Sequence, residues 1–328
     1  MHHPINQKNS SDWKTATEAD IYNCYRLFLD REPDTDGWTT YVTNINAGMS
    51  VQSLVASFLN SVEFRNKQSV QSAVESTPLL VEVEAFKIYV SPSGSPVASP
   101  LIEGRPYEPH VVAAMRRLLK PGMVFVDVGA SIGYLSMVAA HAVGVQGKVI
   151  CFEPDPYNCK LLYLSAKING FANVEIYPLA VADKSRNVIF DSMQGNGVIS
   201  NFDVNLESTP MRFVVRTLPL DQILRDEESI HVLKMDVEGA EYMVLRGAAN
   251  TLKRQRPVIL SEFSPAGLQN VSGVSGQEFL RLLIDEGYDI SVLGFDNEVI
   301  DCGDDIERVF RHYSELLTSH IDIVAFPR

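Results

Sequence analysis

The stretch VFVDVGASIGYLSMVAA, residues 124–140, carries the reading on which the fold depends. Val124, Phe125, Val126 and Val128 form a short apolar run of the kind buried on both faces of a parallel sheet. Gly129, Ala130 and Gly133 follow as a turn, after which apolar residues resume in a helix-like segment. Strand, glycine turn and helix in that order form a unit of an open α/β sheet. Ligands of such sheets sit beyond the carboxyl ends of the strands, where strand order reverses, and the helix start offers free N–H donors there. Asp127 ends a hydrophobic strand immediately before the turn. Either it caps the strand or something bound at the turn needs it.

Outward from this unit, strand-like and helix-like segments alternate. Residues 86–91 and 95–99 read as strands, and YEPHVVAAMRRLLKPG (107–122) as a helix ending before Pro121. Strands at 124–128, 148–153, 173–178, 230–236 and 257–262 alternate with helices at 131–143, 156–169, 219–226, 239–252 and 275–287. Two further strand-like pieces, 186–191 and 212–217, flank a polar Gly/Asn/Ser-rich loop, and strands at 288–293 and 320–326, joined by a long, partly helical connection, close the chain. Such alternation predicts a parallel sheet with helices on both faces. Residues 18–67 differ in texture. Ile21, Tyr25, Phe28 and Leu29 fall at helical spacing, REPDTDG breaks the pattern, Trp38, Tyr41, Val42 and Ile45 resume it, and Ser50 caps a third helix carrying Leu54, Val55, Phe58 and Leu59. The expected organisation is a polar tail (1–17), a small helical domain (18–67), a linker (68–84) and an α/β domain (85–328).

The 328 residues are 45% hydrophobic and 21% charged, as in ordinary globular proteins. A net charge of −13 argues against a nucleic-acid partner held by phosphate contacts. Cys24, Cys151, Cys159 and Cys302 are scattered and read as reduced thiols. The polar start MHHPINQKNSSDWK lacks the apolar region of a signal peptide, and no run is long enough to span a membrane. A soluble cytoplasmic protein is the expectation.

The turn reads D-x-G-A-x-x-G rather than the G-x-G-x-x-G of dinucleotide sites, with Ala130 at the middle glycine and an acid ahead of it. An acid there repels a pyrophosphate but suits S-adenosylmethionine, which carries an ammonium and a sulfonium and no phosphate. In KVICFEPDP (148–156), Glu153 ends the next strand, where a carboxylate accepts both ribose hydroxyls, a signal shared by NAD and S-adenosylmethionine. Pro156 then stands where a helix start tolerates proline. In LKMDVEGAEYMVLRGA (233–248), Asp236 ends a strand and Glu238 and Glu241 follow at a helix start, where acids also serve the helix electrostatically. Glu262 ends the strand expected beside it. Four carboxylates at two neighbouring strand tips exceed what packing needs.

Taken together, D-V-G-A-x-x-G, F-E-P-D, the alanine–valine–alanine–aspartate turn (180–183), K-x-D-V-E-G-A-E and RPVILSEFSP resemble the FkbM family of S-adenosylmethionine-dependent methyltransferases over residues 86–328. The resemblance implies a class I methyltransferase (Rossmann-like) fold: a seven-stranded, mostly parallel sheet with its last strand antiparallel, here preceded by a small all-α domain. It implies O-methylation of hydroxyls on polyketides, sugars or glycolipids. It places Asp127, Gly129 and Gly133 around the methionine part of the cofactor, with Ala130 and Ser131 in the same turn. Glu153 with Pro154 falls at the ribose, Ala180 and Val181 beside the adenine with Asp183 close by, and Asp236 facing the methyl group. Ser131 stands where members often have asparagine, and LPLDQIL (218–224) fits the family's L-D-x-x-L only loosely. YRLFLDREPDTDG (25–37) with FLNSVEF (58–64) resembles a small helical bacterial domain of unknown function found beside glycosyltransferases, which points to a glycan acceptor by association and leaves room for a protein partner. The DTDG within it shows too few ligands for calcium.

Methyl transfer to a hydroxyl needs the oxygen held in line with the donor and a base within hydrogen-bond reach. Candidates are Asp236, Glu238, Glu241, Glu262, and His110 with Glu108. Asp236 or Glu262 is the expected base, the other carboxylates orienting the acceptor. A divalent cation between Asp236 and Glu262 is an alternative, with no third ligand evident from the sequence. An NAD-dependent oxidoreductase and a non-catalytic cofactor-binding scaffold are the other readings.

Overall fold

The computed structural model describes residues 15–29, 31–61, 63–64, 77–92, 95–193, 196–200, 211–316 and 318–328. The chain divides into two compact units, Met1–Thr77 and Pro78–Arg328.

In the first unit, helices Glu18–Leu29, Thr35–Asn46 and Val51–Leu59 bury Ile21, Tyr25, Phe28, Leu54 and Phe58. Phe58 stacks on Tyr41 at 4.8 Å and meets Tyr25 edge-on at 4.9 Å. The break in REPDTDG has a physical cause. Asp34 caps the second helix by accepting from the Gly37 N–H at 2.8 Å, and its other oxygen lies 2.9 Å from Arg31. Both oxygens are thus engaged, which accounts for this acid without calcium. Ser50 caps the third helix through the Ser53 N–H, as its position before an apolar run predicts.

The second unit begins with the hairpin β1 (Leu79–Val83) and β2 (Phe86–Val90). Its first strand falls in the stretch expected as a linker, whose residues 68–76 lie outside the described residues. The other strands are β3 (Val124–Val128), β4 (Lys148–Phe152), β5 (Val174–Tyr177), β6 (Ala180–Val181), β7 (Arg186–Met193), β8 (Asn196–Ser200), β9 (Met211–Leu218), β10 (Val232–Met235), β11 (Val258–Phe263), β12 (Tyr288–Leu293), β13 (Val299–Gly303) and β14 (Ile321–Pro327). The main sheet has the order β13-β12-β14-β11-β10-β3-β4-β5. Five of these strands run parallel from β5 to β11, β14 is antiparallel to both of its neighbours, and β13 adds an eighth strand as a hairpin partner of β12. The expected seven-stranded sheet is therefore present, one edge strand longer. A second sheet, β6-β9-β7-β8, holds the two strand-like pieces of the 186–217 region.

Two local readings change. SPVAS is not a strand: it leads into the short helix Ala98–Ile102. The helix expected over 239–252 is two helices, Glu241–Gly247 and Ala249–Gln255, parted at Ala248. Strand order reverses between β3 and β10, so the carboxyl ends of these two strands define the crevice.

Candidate active site

Beyond those strand ends lies a cavity of about 830 Å³, open to solvent. Its floor is the turn after β3. Gly129 has φ +81°, and a Cβ there would stand 1.8 Å from the Asp236 carbonyl oxygen, so only glycine lets the two strand ends close up. Gly133, at φ +89°, is excluded from the lining by its own packing: a Cβ would meet Leu162 at 2.6 Å, so this glycine seats one helix on the next. Ala130, Ser131, Glu153, Pro154, Ala180, Val181, Asp236 and Glu238 all line the cavity. Leu179, Phe190 and Ile199 complete an apolar wall opposite the acids.

Glu153 accepts from the Ser131 N–H and the Asp155 N–H, both at 2.8 Å. Burial, and then Asp155, push its pKa up to about 8. Asp155 in turn caps the helix Pro156–Ile168, as the proline suggested.

Asp127 does not reach the cavity. It is fully buried. One oxygen accepts from the Ser136 hydroxyl at 2.6 Å, and the other lies 3.3 Å from the Lys234 ammonium. Its neighbour on β10 is Lys234, aligned with it in the parallel register. The acid at the end of the apolar strand is thus answered by a lysine of the chain itself. Asp183 also stands outside the lining, 3.7 Å from Lys184.

Beside the cavity is a small cleft of about 250 Å³, and Lys234 and Asp236 line both. Its other polar walls are Glu108, Glu262 and Asp322. Glu262 and Asp322 are register partners on β11 and β14. Glu262 has its pKa pushed up to about 11, first by burial and then by Asp236, with which it shares a hydrogen bond. Glu108 is pushed up to about 7 by burial and by Asp236 and Asp322. Tyr107, hydrogen-bonded to Glu108, has its hydroxyl raised by burial and these acids. His110 does not line the cleft; its Nε2 lies 2.7 Å from Asp322. Lys234 keeps its charge: burial works against it, but Asp127, Asp236 and Glu108 outweigh burial and raise its pKa.

Glu241 does something else. Its Oε1 accepts from the Val237 N–H at 2.9 Å and the Gly239 N–H at 3.2 Å, holding the turn that follows Asp236. It is buried and lines neither space, so the geometry gives it a structural task rather than a catalytic one. Asp236, Glu238 and Glu262, by contrast, bring one oxygen each within 4.8 Å of one another. Glu238 thus stands where a third oxygen for a cation could come from, a position the sequence did not reveal.

Lys234, Tyr107 and Asp322 were not picked out from the sequence. Lys234 left a signal: a charge inside an apolar strand needs a buried partner, and Asp127 was the acid awaiting one. Asp322 and Tyr107 left none, because strand pairing and chain return bring them in from 86 residues further on and 129 residues back from Asp236, respectively. Three non-glycine residues at the site, Glu108, Ser131 and Glu238, sit at φ +43°, +50° and +54°. Such strain collects where side chains must be aimed.

A mostly parallel sheet with β14 antiparallel in its midst and β13 at its edge, a glycine turn at the switch point and an acid-rimmed cavity define a class I methyltransferase. The model of the methyltransferase FkbM domain matches residues 127–290, half of the chain, and the chain belongs to that family. A second match, at residues 6–68, is to a domain of unknown function, DUF4214. Similar proteins include the 2-O-methyltransferase NoeI of Sinorhizobium fredii, 27% identical over 51% of this chain and 72% of that protein. Methyltransferase sdnD of Sordaria araneosa is 24% identical over 67% of this chain and 92% of that protein. A crystal structure of methyltransferase FkbM from Methylobacillus flagellatus aligns with a TM-score of 0.40 at 15% identity, over 66% of this chain and 50% of that one. The chain thus spans half the length of that structure, and an overlap of this quality carries no argument.

Family and fold imply S-adenosylmethionine as the methyl donor. The residues present fit it: Glu153 sits at the second strand tip, an apolar wall suits a purine, and Asp236 and Glu238 give the same cavity carboxylates that suit a cationic ligand. Among the described residues no helix is long and apolar enough to cross a membrane.

Proposed function

We propose that the protein methylates a hydroxyl group of a sugar or glycan, using S-adenosylmethionine. The observation that carries this reading is the position of Asp236. It is shared by the large cavity and the acid cleft, and so stands where a donor and an acceptor would meet. Carboxylates in the cleft suit an acceptor rich in hydroxyl donors. The similarity to a protein named as a 2-O-methyltransferase supports the same class.

When bound, the donor supplies an electrophilic methyl on a sulfonium. The residues of the chain then divide the remaining work. Asp236 accepts the proton of the attacking hydroxyl. Glu262, which keeps its proton at neutral pH, donates to Asp236 and fixes its orientation. Glu153 would hold the ribose hydroxyls, the Gly129–Ser131 turn would receive the methionine part, and Ala180 and Val181 would flank the adenine, all of them residues that line the cavity. Glu108 and Asp322 orient the acceptor. The test is incubation with methyl-labelled S-adenosylmethionine and a panel of saccharides. Label should enter an alkali-stable ether, whereas label released by mild alkali would mark an ester and overturn the hydroxyl reading.

A second reading rests on the proximity of Asp236, Glu238 and Glu262, which a divalent cation would bridge while acidifying the acceptor hydroxyl. Transfer that survives exhaustive chelation eliminates it. We further propose that residues 18–67 form a separately folding helical domain that contacts the acceptor-bearing partner, with residues 85–328 as the catalytic domain, in a soluble cytoplasmic enzyme.

A further inference from the structure

Lys234 is almost fully buried, and it lines both the cavity and the cleft. Its ammonium lies 3.2 Å from the Gly129 carbonyl oxygen, 3.3 Å from Asp127 Oδ1 and 3.5 Å from Asp236 Oδ2. The Gly129 carbonyl and Asp236 Oδ2 accept hydrogen bonds from it, and Asp127 Oδ1 stands at ion-pair distance, so two strand ends and a turn converge on one ammonium. Gly129 forms the cavity floor, and its backbone already abuts the Asp236 carbonyl. Side chain and main chain therefore tie the same two segments together.

We infer that Lys234 is a positioning residue: its ammonium locks the carboxylate of Asp236 to the cofactor turn at Gly129, so that the floor under the donor and the group facing its methyl move as one body. Asp127 is the buried counter-charge that anchors the lysine from below and takes no part in gripping the ligand. The inference rests on the reading of the cavity as the donor site. It extends that reading by giving Lys234 a task, and it moves Asp127 from ligand contact to support. A lysine serving only to neutralise Asp127 would need no carbonyl and no second carboxylate within reach.

The experiment separates the two tasks with two nucleosides that differ in charge at sulfur. S-adenosylmethionine is a sulfonium, and S-adenosylhomocysteine is a neutral thioether. Binding of each is measured by calorimetry on the full chain for the wild type, Lys234→Met, and the double variant Asp127→Asn with Lys234→Met, with melting temperature recorded for all three. The single variant leaves Asp127 unpaired and is expected to melt early. The double variant removes both buried charges and is expected to recover most of the melting temperature. If Lys234 positions Asp236, the double variant still binds S-adenosylmethionine about ten-fold more weakly than the wild type, the strength of a lost charged hydrogen bond, and loses preference for the sulfonium over the thioether. A double variant that binds both nucleosides with wild-type affinity overturns the inference while leaving the donor site intact. Wild-type protein that binds neither nucleoside overturns the donor-site reading and this inference with it.

Discussion

The large cavity and the acid cleft meet at Lys234 and Asp236, but they are built from different materials. The cavity is mostly backbone turn and apolar side chain, with Glu153 held in place by two N–H groups. The cleft is carboxylates facing carboxylates, with one buried ammonium beneath them. The first can recognise a nucleoside by shape and a few fixed hydrogen bonds. The second can hold and pass a proton, because its acids cannot all be charged at once. Binding and chemistry should therefore respond separately to substitution.

The largest separation is expected at the shared residue. Asp236→Asn should cut methyl transfer by about 100- to 10,000-fold, the usual cost of losing a general base. S-adenosylhomocysteine binding should change no more than a few-fold. Single-turnover transfer and calorimetry on the same preparation measure the two effects. Parallel loss of both would join the regions that the structure divides.

Gly129→Ala should act in the opposite sense, on the cavity first. The backbone there is left-handed and the new methyl collides with the Asp236 carbonyl. The strain alone costs about 1–3 kcal/mol, and the strand ends must part to relieve the collision. Nucleoside binding should fall below detection and the melting temperature should drop. Full binding by this variant would mean that the turn is not the floor.

The two regions also differed in how openly the sequence displayed them. Gly129 and Glu153 lie at strand ends whose apolar runs are plain, so local pattern placed them at one edge of the sheet, whereas Ser131, Ala180 and Val181 came only with the family resemblance. The cleft needed strand order. Glu262 and Asp322 face each other only because β14 runs antiparallel beside β11, and no local pattern reports that. The partner of Asp127 was hidden for a related reason: its charge looked unanswered until the register of β10 set Lys234 beside it. Glu241 looked like one more acid at a helix start, and only hydrogen bonding shows it turned back to hold the turn at 237–239.

Acid titration gives a smaller effect and distinguishes the regions by pH. Glu108 and Glu241 sit at about 7 and Glu153 at about 8, all raised from 4.5 first by burial. An acid raised in this way binds its proton more tightly folded than unfolded. Its contribution to stability is complete below about 4.5 and is lost as pH climbs through the folded value. Glu262 adds the same sign up to about 11. The melting temperature should therefore decline from pH 5 to pH 9. Glu153→Gln should flatten the decline from about pH 4.5 up to about pH 8, and Glu108→Gln from about pH 4.5 only up to about pH 7. A melting temperature that rises across this range would remove the buried-acid account of both regions.

The smallest expected effect discriminates most finely within the cleft. Burial first, and then the Asp236 carboxylate beside it, push Glu262 up to about 11, which favours its protonated form at neutral pH. Glutamine matches a protonated glutamate in shape and in its ability to donate a hydrogen bond, so Glu262→Gln should lower transfer only a few-fold while Asp236→Asn nearly abolishes it. A cation bridging Asp236, Glu238 and Glu262 predicts otherwise, since a neutral amide in place of a carboxylate ligand weakens the metal and takes activity with it. Transfer measured for the two variants against added magnesium and manganese decides the matter. Large loss in Glu262→Gln, restored by excess metal, would turn the cleft from a proton-sharing pair into a metal centre; a small loss indifferent to metal leaves Asp236 as the base and Glu262 as the donor that steadies it.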